Sequence, residues 1–218
     1  MHHVYARGNA QQPIYLDDID RWRYLRLLRK VIERTEWMCM AYCLMANHMH
    51  LLVETRTANL GAGMHRLHGS FAQYFNRRHQ LSGHLFQGRY DAVPIANDPQ
   101  LWMTAAYIVR NPVKAGLCQA PADWPWSSHA AVIESRSPEW IASERLESYF
   151  GAAGGEGLRR YAELAELPSP AEVLSGDSPR LGGVYGPEES ERSNGRRNQK
   201  PARRPPTRAG AAQTIHAS

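Results

Sequence analysis

Cysteine is scarce in this chain. Three of the 218 residues are cysteines, Cys39, Cys43 and Cys118, and no CxxC spacing occurs. A small, odd number without paired spacing excludes a disulfide framework and a zinc ribbon. Cys39 and Cys43 are expected to fill core space as small apolar side chains, and a reducing cytoplasm suits all three. Long apolar runs are missing too. Nothing approaches the roughly 18 residues of a membrane-spanning helix, so no membrane partner is expected. The opening stretch MHHVYARGN has no apolar segment of the kind a signal peptide needs. Finally, acidic residues are absent from positions 192–218, which hold seven of the 26 Lys+Arg and none of the 21 Asp+Glu. That leaves 19 basic against 21 acidic residues for positions 1–191, so the formal net charge of +5 is carried by the end of the chain. A basic arm of this kind meets nucleic acid or simply solubilises. The hydrophobic fraction of 43% is ample for a packed core.

What is present has a clear order. Alternation over residues 3–7 predicts a first strand, broken by GNAQQP. Asp17 or Asp18 is placed to cap a helix running to about residue 34, with Ile19, Trp22, Leu25 and Ile32 on its apolar stripe. Residues 37–45 and 48–54 read as two strands. The short Ala46-Asn47 turn between them implies a hairpin. A second helix, 60–80, aligns Met64, Leu67, Phe71, Tyr74 and Phe75, with Arg66, Arg77 and Arg78 off that stripe. The glycine-bounded loop GHLFQGRY (83–90) then leads into a fourth strand, 90–95. Asn97-Asp98-Pro99 starts a helix, with Asp98 as N-cap and Pro99 at the first position. Pro112 is expected to disturb that helix near Arg110 or Asn111. Trp124 and Trp126 should pack onto the domain, and residues 144–150 and 158–166 suggest short helices. The order β-α-β-β-α-β plus a further helix predicts an α+β, ferredoxin-like antiparallel sheet with two helices on one face. The expected divisions are a domain over 1–130, a helical extension over 131–175, and a basic, disordered tail over 176–218 rich in Pro, Gly, Ser and Arg.

The densest chemistry lies in NHMHLLVE (47–54). In a strand, residues two apart face the same side, so His48 and His50 project together while Met49, Leu51 and Val53 face the core. Two adjacent imidazoles make a two-point metal seat or a catalytic pair, or else simply the polar side of a half-buried strand.

Five segments together resemble the REP-associated tyrosine transposases, a branch of the single-tyrosine HUH nucleases. They are HHVYARGN (2–9), CLMANHMHLLVE (43–54), GHLFQGRY (83–90), AYIVRNPVKAGL (106–117) and WPWSS (124–128). Ala46 departs from the pattern, which often has proline before the Asn-His pair. The resemblance implies a catalytic helix after the fourth strand, with Tyr107 as nucleophile and Asn111 as a ligand one turn later. Residues four apart share a helix face, so the two can reach one site. Together with His48 and His50, Asn111 would hold a divalent metal. Imidazoles alone suggest zinc or another transition metal, whereas the resemblance implies Mg²⁺ or Mn²⁺.

The implied activity is that of a metal-dependent endonuclease and strand transferase on single-stranded, hairpin DNA of the repetitive extragenic palindrome type. It would act through a 5′-phosphotyrosine in the nucleoid-associated cytoplasm. Candidate DNA contacts are Arg7, Asn9, Arg77, Arg78, His84, Gln87 and Arg89, with tail arginines adding sequence-blind affinity. Three rivals remain open at this level. One is a domesticated hairpin-DNA binder that no longer cuts. Another is a metal-dependent hydrolase in which Tyr107 merely packs. The third is an RNA-binding ferredoxin-like domain, which gives no reason for the His pair. Monomer and homodimer are equally compatible with the sequence.

Overall fold

The computed structural model describes residues 1–151 and 155–167. The expected tail over 176–218 and the last part of the expected extension, 168–175, lie outside the described residues. Four strands are found among those described: β1 (His2–Arg7), β2 (Met38–Leu44), β3 (His48–Glu54) and β4 (Asp91–Pro94). They form one antiparallel sheet in the order β2-β3-β1-β4. Helix α1 (Asp18–Thr35) carries the chain from β1 past one strand position to β2, and β3 fills the gap by hairpin return. Helix α2 (Leu60–His79) then leads to β4 on the far edge. This is the ferredoxin-like arrangement, as the element order predicts.

The hairpin turn is the expected Ala46-Asn47 pair, closed by the Met45 N–H donating to the His48 carbonyl at 2.9 Å. On one face of the sheet Val4, Met49, Leu51 and Val53 are fully buried. Asp17 caps α1, its Oδ1 accepting from the Asp20 N–H at 3.1 Å. Cys39 and Cys43 are core residues with no exposure, as their scarcity suggested. Trp126 is buried with its ring edge-on to Trp22 at 5.3 Å, and Trp124 Nε1 donates to the Leu44 carbonyl at 3.1 Å. Both tryptophans therefore pack onto the domain. No described helix is long and apolar enough to cross a membrane.

The other face is covered by α3 (Asp98–Lys114), which contacts β2 and β3. A short helix α4 (His129–Ile133), which the periodicity did not reveal, precedes α5 (Ser143–Phe150) and α6 (Glu156–Glu166). The last two brace α3. Trp102 Nε1 donates to the Tyr149 carbonyl at 2.6 Å, and the Arg110 guanidinium donates to the Ala165 carbonyl at 3.1 Å.

Two expectations about α3 change. Its N-cap is Asn97, not Asp98, because Asn97 Oδ1 accepts from the Gln100 N–H at 2.9 Å. Pro99 therefore occupies the second helical position. Pro112 does not break the helix, which continues to Lys114. Proline lacks the N–H that would reach the Ile108 carbonyl. The Asn111 side chain supplies a donor there instead, its Nδ2 lying 2.9 Å from the Tyr107 carbonyl and 3.5 Å from the Ile108 carbonyl.

Candidate active site

Strand register assembles the centre. β1 pairs with β3 so that Arg7 lies opposite His48, Tyr5 opposite His50 and His3 opposite Leu52. Cross-strand partners share a face, so His3, Tyr5, Arg7, His48 and His50 all project toward α3. The His48 and His50 rings stand perpendicular at 5.1 Å between centroids. The Tyr107 ring, reaching down from α3, is edge-on to His50 at 5.7 Å and to His3 at 5.8 Å.

Burial sets the charge state. It is the main cause that pulls His48 down to about 4, with the nearby Arg7 charge adding to it and a hydrogen bond between the ring and Asn111 opposing. His50 is likewise held well below its ordinary value, by burial first and then by His3, His48 and Arg7. Both rings are thus neutral near pH 7 and keep lone pairs for a ligand. Burial raises the Tyr107 phenol, while the Asn111 hydrogen bond and the Arg7 charge lower it. Asn111 therefore faces both His48 and Tyr107. Because its Nδ2 also serves the helix carbonyls, its Oδ1 is the atom left for other partners.

No group of three or more His, Cys, Asp or Glu that could hold a metal ion occurs among the described residues. An ion here would rest on two imidazoles and one amide oxygen. At His48 such an ion would take the place of the hydrogen bond with Asn111. His48 Nδ1 is 2.7 Å from Asn47 Oδ1, which leaves its Nε2. His50 Nδ1 is 2.9 Å from His3 Nε2, and the buried His50 Nε2 has no partner among the described residues. An unpartnered buried polar atom calls for an explanation, and a ligand supplies one. With two neutral donors and an amide, the residues fit a divalent cation, held weakly.

The glycine-bounded loop lies beside this centre. Gln87 N–H donates to the Arg7 carbonyl at 3.0 Å, and Asn9 N–H donates to the Leu85 carbonyl at 2.9 Å. Leu85 and Phe86 anchor the loop in the core, Phe86 stacking on His68 at 4.0 Å. His84, Gln87 and Arg89 remain exposed, as does Asn9. Arg77 is exposed on the last turn of α2. Arg78 is engaged elsewhere, at the contact of α1 with α2, where it binds Asp17 at 2.6 Å and Asp20 at 2.5 Å.

Sequence reasoning missed His3 and Tyr5. Their signal was the alternation His3-Tyr5-Arg7, which puts them on the face of a candidate contact residue. Only the register of β1 against β3 reveals that this is also the histidine face.

The family model of IS200-like transposases matches residues 1–111. The structure of a REP-associated tyrosine transposase bound to a REP hairpin superposes with a TM-score of 0.51 at 19% identity, covering 63% of this chain and 81% of that one. It shares the fold. A protein of Deinococcus radiodurans R1 described as a transposase gives a TM-score of 0.37 at 15% identity, over 47% of this chain and 83% of that one. No curated protein matches the chain.

Proposed function

Since the chain belongs to the IS200-like transposase family, we propose that it is a metal-dependent endonuclease and strand transferase acting on single-stranded hairpin DNA through a 5′-phosphotyrosine. The observation that carries this reading is the convergence of Tyr107, His48, His50 and Asn111 on one half-buried polar centre.

Tyr107 supplies the attacking oxygen. Its phenol gives up a proton to solvent as the O–P bond forms, the P–O3′ bond of the preceding nucleotide breaks, the leaving oxygen takes up a proton from solvent to become a 3′-OH, and the covalent intermediate keeps the energy of the broken bond. Return attack by a 3′-OH reverses the step and joins strands. A phenol is weakly nucleophilic at neutral pH, so the opposing influences on Tyr107 matter. Burial holds it protonated, while Arg7 and Asn111 favour the phenolate. A Mg²⁺ or Mn²⁺ ion held by His48 Nε2, His50 Nε2 and Asn111 Oδ1 would polarise the non-bridging phosphate oxygens. Arg7 adds a fixed positive charge beside the same phosphate.

Asn9, His84, Gln87 and Arg89 form an exposed polar border next to Arg7, suited to hold phosphates and read unpaired bases. A structural neighbour bound to a REP hairpin supports hairpin DNA of that type as substrate. The edge-on contact of Tyr107 with His50 at 5.7 Å within the chain supports action within a single subunit.

The test uses an end-labelled single-stranded hairpin oligonucleotide from the gene's own neighbourhood with Mn²⁺ or Mg²⁺, resolved on a denaturing gel. Wild type should form a metal-dependent protein–DNA adduct. Tyr107→Phe should lose it while still binding DNA, and His48→Ala should lose it as well. Cleavage that survives in Tyr107→Phe would mean hydrolysis without a covalent step. Binding with neither adduct nor cleavage, across metals and hairpins, would mean a DNA-binding protein that no longer cuts.

A further inference from the structure

Among the described residues, His3 is the one fully buried histidine that touches the proposed centre without belonging to it. It has no exposure, its ring stacks on that of His50 at 5.1 Å and 24°, and its Nε2 lies 2.9 Å from His50 Nδ1. Two neutral imidazole nitrogens at that distance share a single proton, and its position decides what the far side of His50 can do. If His3 Nε2 carries the proton, His50 accepts at Nδ1 and must carry its own proton on Nε2, where it blocks a ligand. If His50 Nδ1 carries it, His3 accepts, and His50 Nε2 is a bare lone pair. The two outer atoms, His3 Nδ1 and His50 Nε2, are both buried and have no partner among the described residues. Neither of them fixes the choice from outside the pair.

We propose that His3 is a positioning residue that accepts the His50 Nδ1 proton, thereby holding His50 in the tautomer whose Nε2 can ligate a cation. The inference rests on the metal-holding reading of His48, His50 and Asn111. Orienting partners of this kind set ligand tautomer and ring angle, and their loss typically costs about 10- to 100-fold in metal affinity. Tyr5 lies opposite His50 on β1 with its ring tilted against it at 6.1 Å, while the contact at His50 Nδ1 is with His3.

The experiment uses the full chain. Isothermal titration with Mn²⁺ alone compares wild type with His50→Ala, His3→Leu and His3→Gln. Long-range ¹H–¹⁵N correlation of the metal-free protein reads which His50 nitrogen is protonated. Thermal melting checks that each variant is folded. Wild type should show His50 protonated at Nδ1. His3→Leu should move that proton to Nε2 and weaken Mn²⁺ binding by about 10- to 100-fold. His3→Gln, whose Oε1 can accept from Nδ1, should keep the tautomer and bind within about threefold of wild type. A wild-type His50 protonated at Nε2, or a folded His3→Leu variant with unchanged tautomer and affinity, overturns the proposal. The separate failure, in which His50→Ala binds Mn²⁺ as well as wild type does, removes the metal-holding reading itself, and the tautomer data still judge His3.

Discussion

Arg7 has two roles open to it. The sequence suggests a phosphate contact, while the fold sets its guanidinium close enough to lower His48, His50 and Tyr107 together. A positive charge beside a phenol favours the phenolate. Removing it in Arg7→Gln should raise Tyr107 further, so the rising limb of adduct formation against pH should move upward by up to about one unit. At a fixed pH on that limb the rate should fall about tenfold. Single-turnover adduct formation between pH 6.5 and 9 measures this. A limb that stays in place while DNA affinity drops would leave Arg7 as a phosphate contact alone. Burial still raises the phenol on balance, opposed first by the Asn111 hydrogen bond and then by the Arg7 charge. Asn111, too, has a double duty that a motif cannot display, since one amide both replaces the donor missing at Pro112 and faces His48.

Among the elements, the junction between β1 and the GHLFQGRY loop has the least tolerance. Gly8 donates its N–H to the Asn47 carbonyl at 2.8 Å, beside the turn that aims His48, and bridges to Phe86 of the loop. A Cβ at Gly8 would sit 2.0 Å from the Gln12 backbone oxygen and 2.9 Å from Ile14 Cγ2. Backbone must move to admit it. Gly8→Ala should therefore cost about 1–3 kcal/mol in urea unfolding and weaken hairpin binding, because Asn9 and Gln87 are held through the same strand end. A variant with unchanged stability and DNA affinity would mean the junction relaxes freely. α3 shows the converse. It is long and carries the tyrosine, but its placement relies on α5 and α6, which lie beyond the residues that match the family model.

At the scale of the whole molecule, stability should depend on pH through buried neutral histidines in separate layers. His68 of α2 stacks on Phe86 and meets the Tyr24 hydroxyl at 3.3 Å. His129 of α4 meets the Tyr161 hydroxyl at 3.1 Å. Burial pulls both down from 6.5 to about 4. Between those values the unfolded chain binds more protons than the folded one, so lowering pH favours unfolding. The stabilisation is fully present above pH 6.5 and declines as pH falls toward 4, by on the order of a few kcal/mol for the two rings together. Asp17, held at about 2 by its hydrogen bond to Arg78, begins to lose its contribution only below pH 3.8. Its loss is therefore separable from the histidine window. Urea midpoints at pH 7.5, 6, 5 and 4 would show the decline, and a flat profile across that range would contradict it.

The order of elements, the hairpin, the buried face of β3 and the pairing of His48 with His50 follow from the sequence alone. Each depends on spacing within one segment, and a period of two or 3.6 is already a statement about faces. The likeness of Tyr107 and Asn111 to a nucleophile and a ligand was also legible, as a pattern. What only the tertiary structure decided is which faces meet. The alternation His3-Tyr5-Arg7 has no meaning until β1 is registered against β3, and the loop at 83–90 has none until Gln87 and Leu85 bond to β1. Pro112 was misjudged for the same reason: the local rule holds for an unaided backbone, and a side chain in the folded helix makes up the missing donor. Hydrogen bonds between distant segments leave no periodic trace, so the centre becomes visible only once the chain has brought them together.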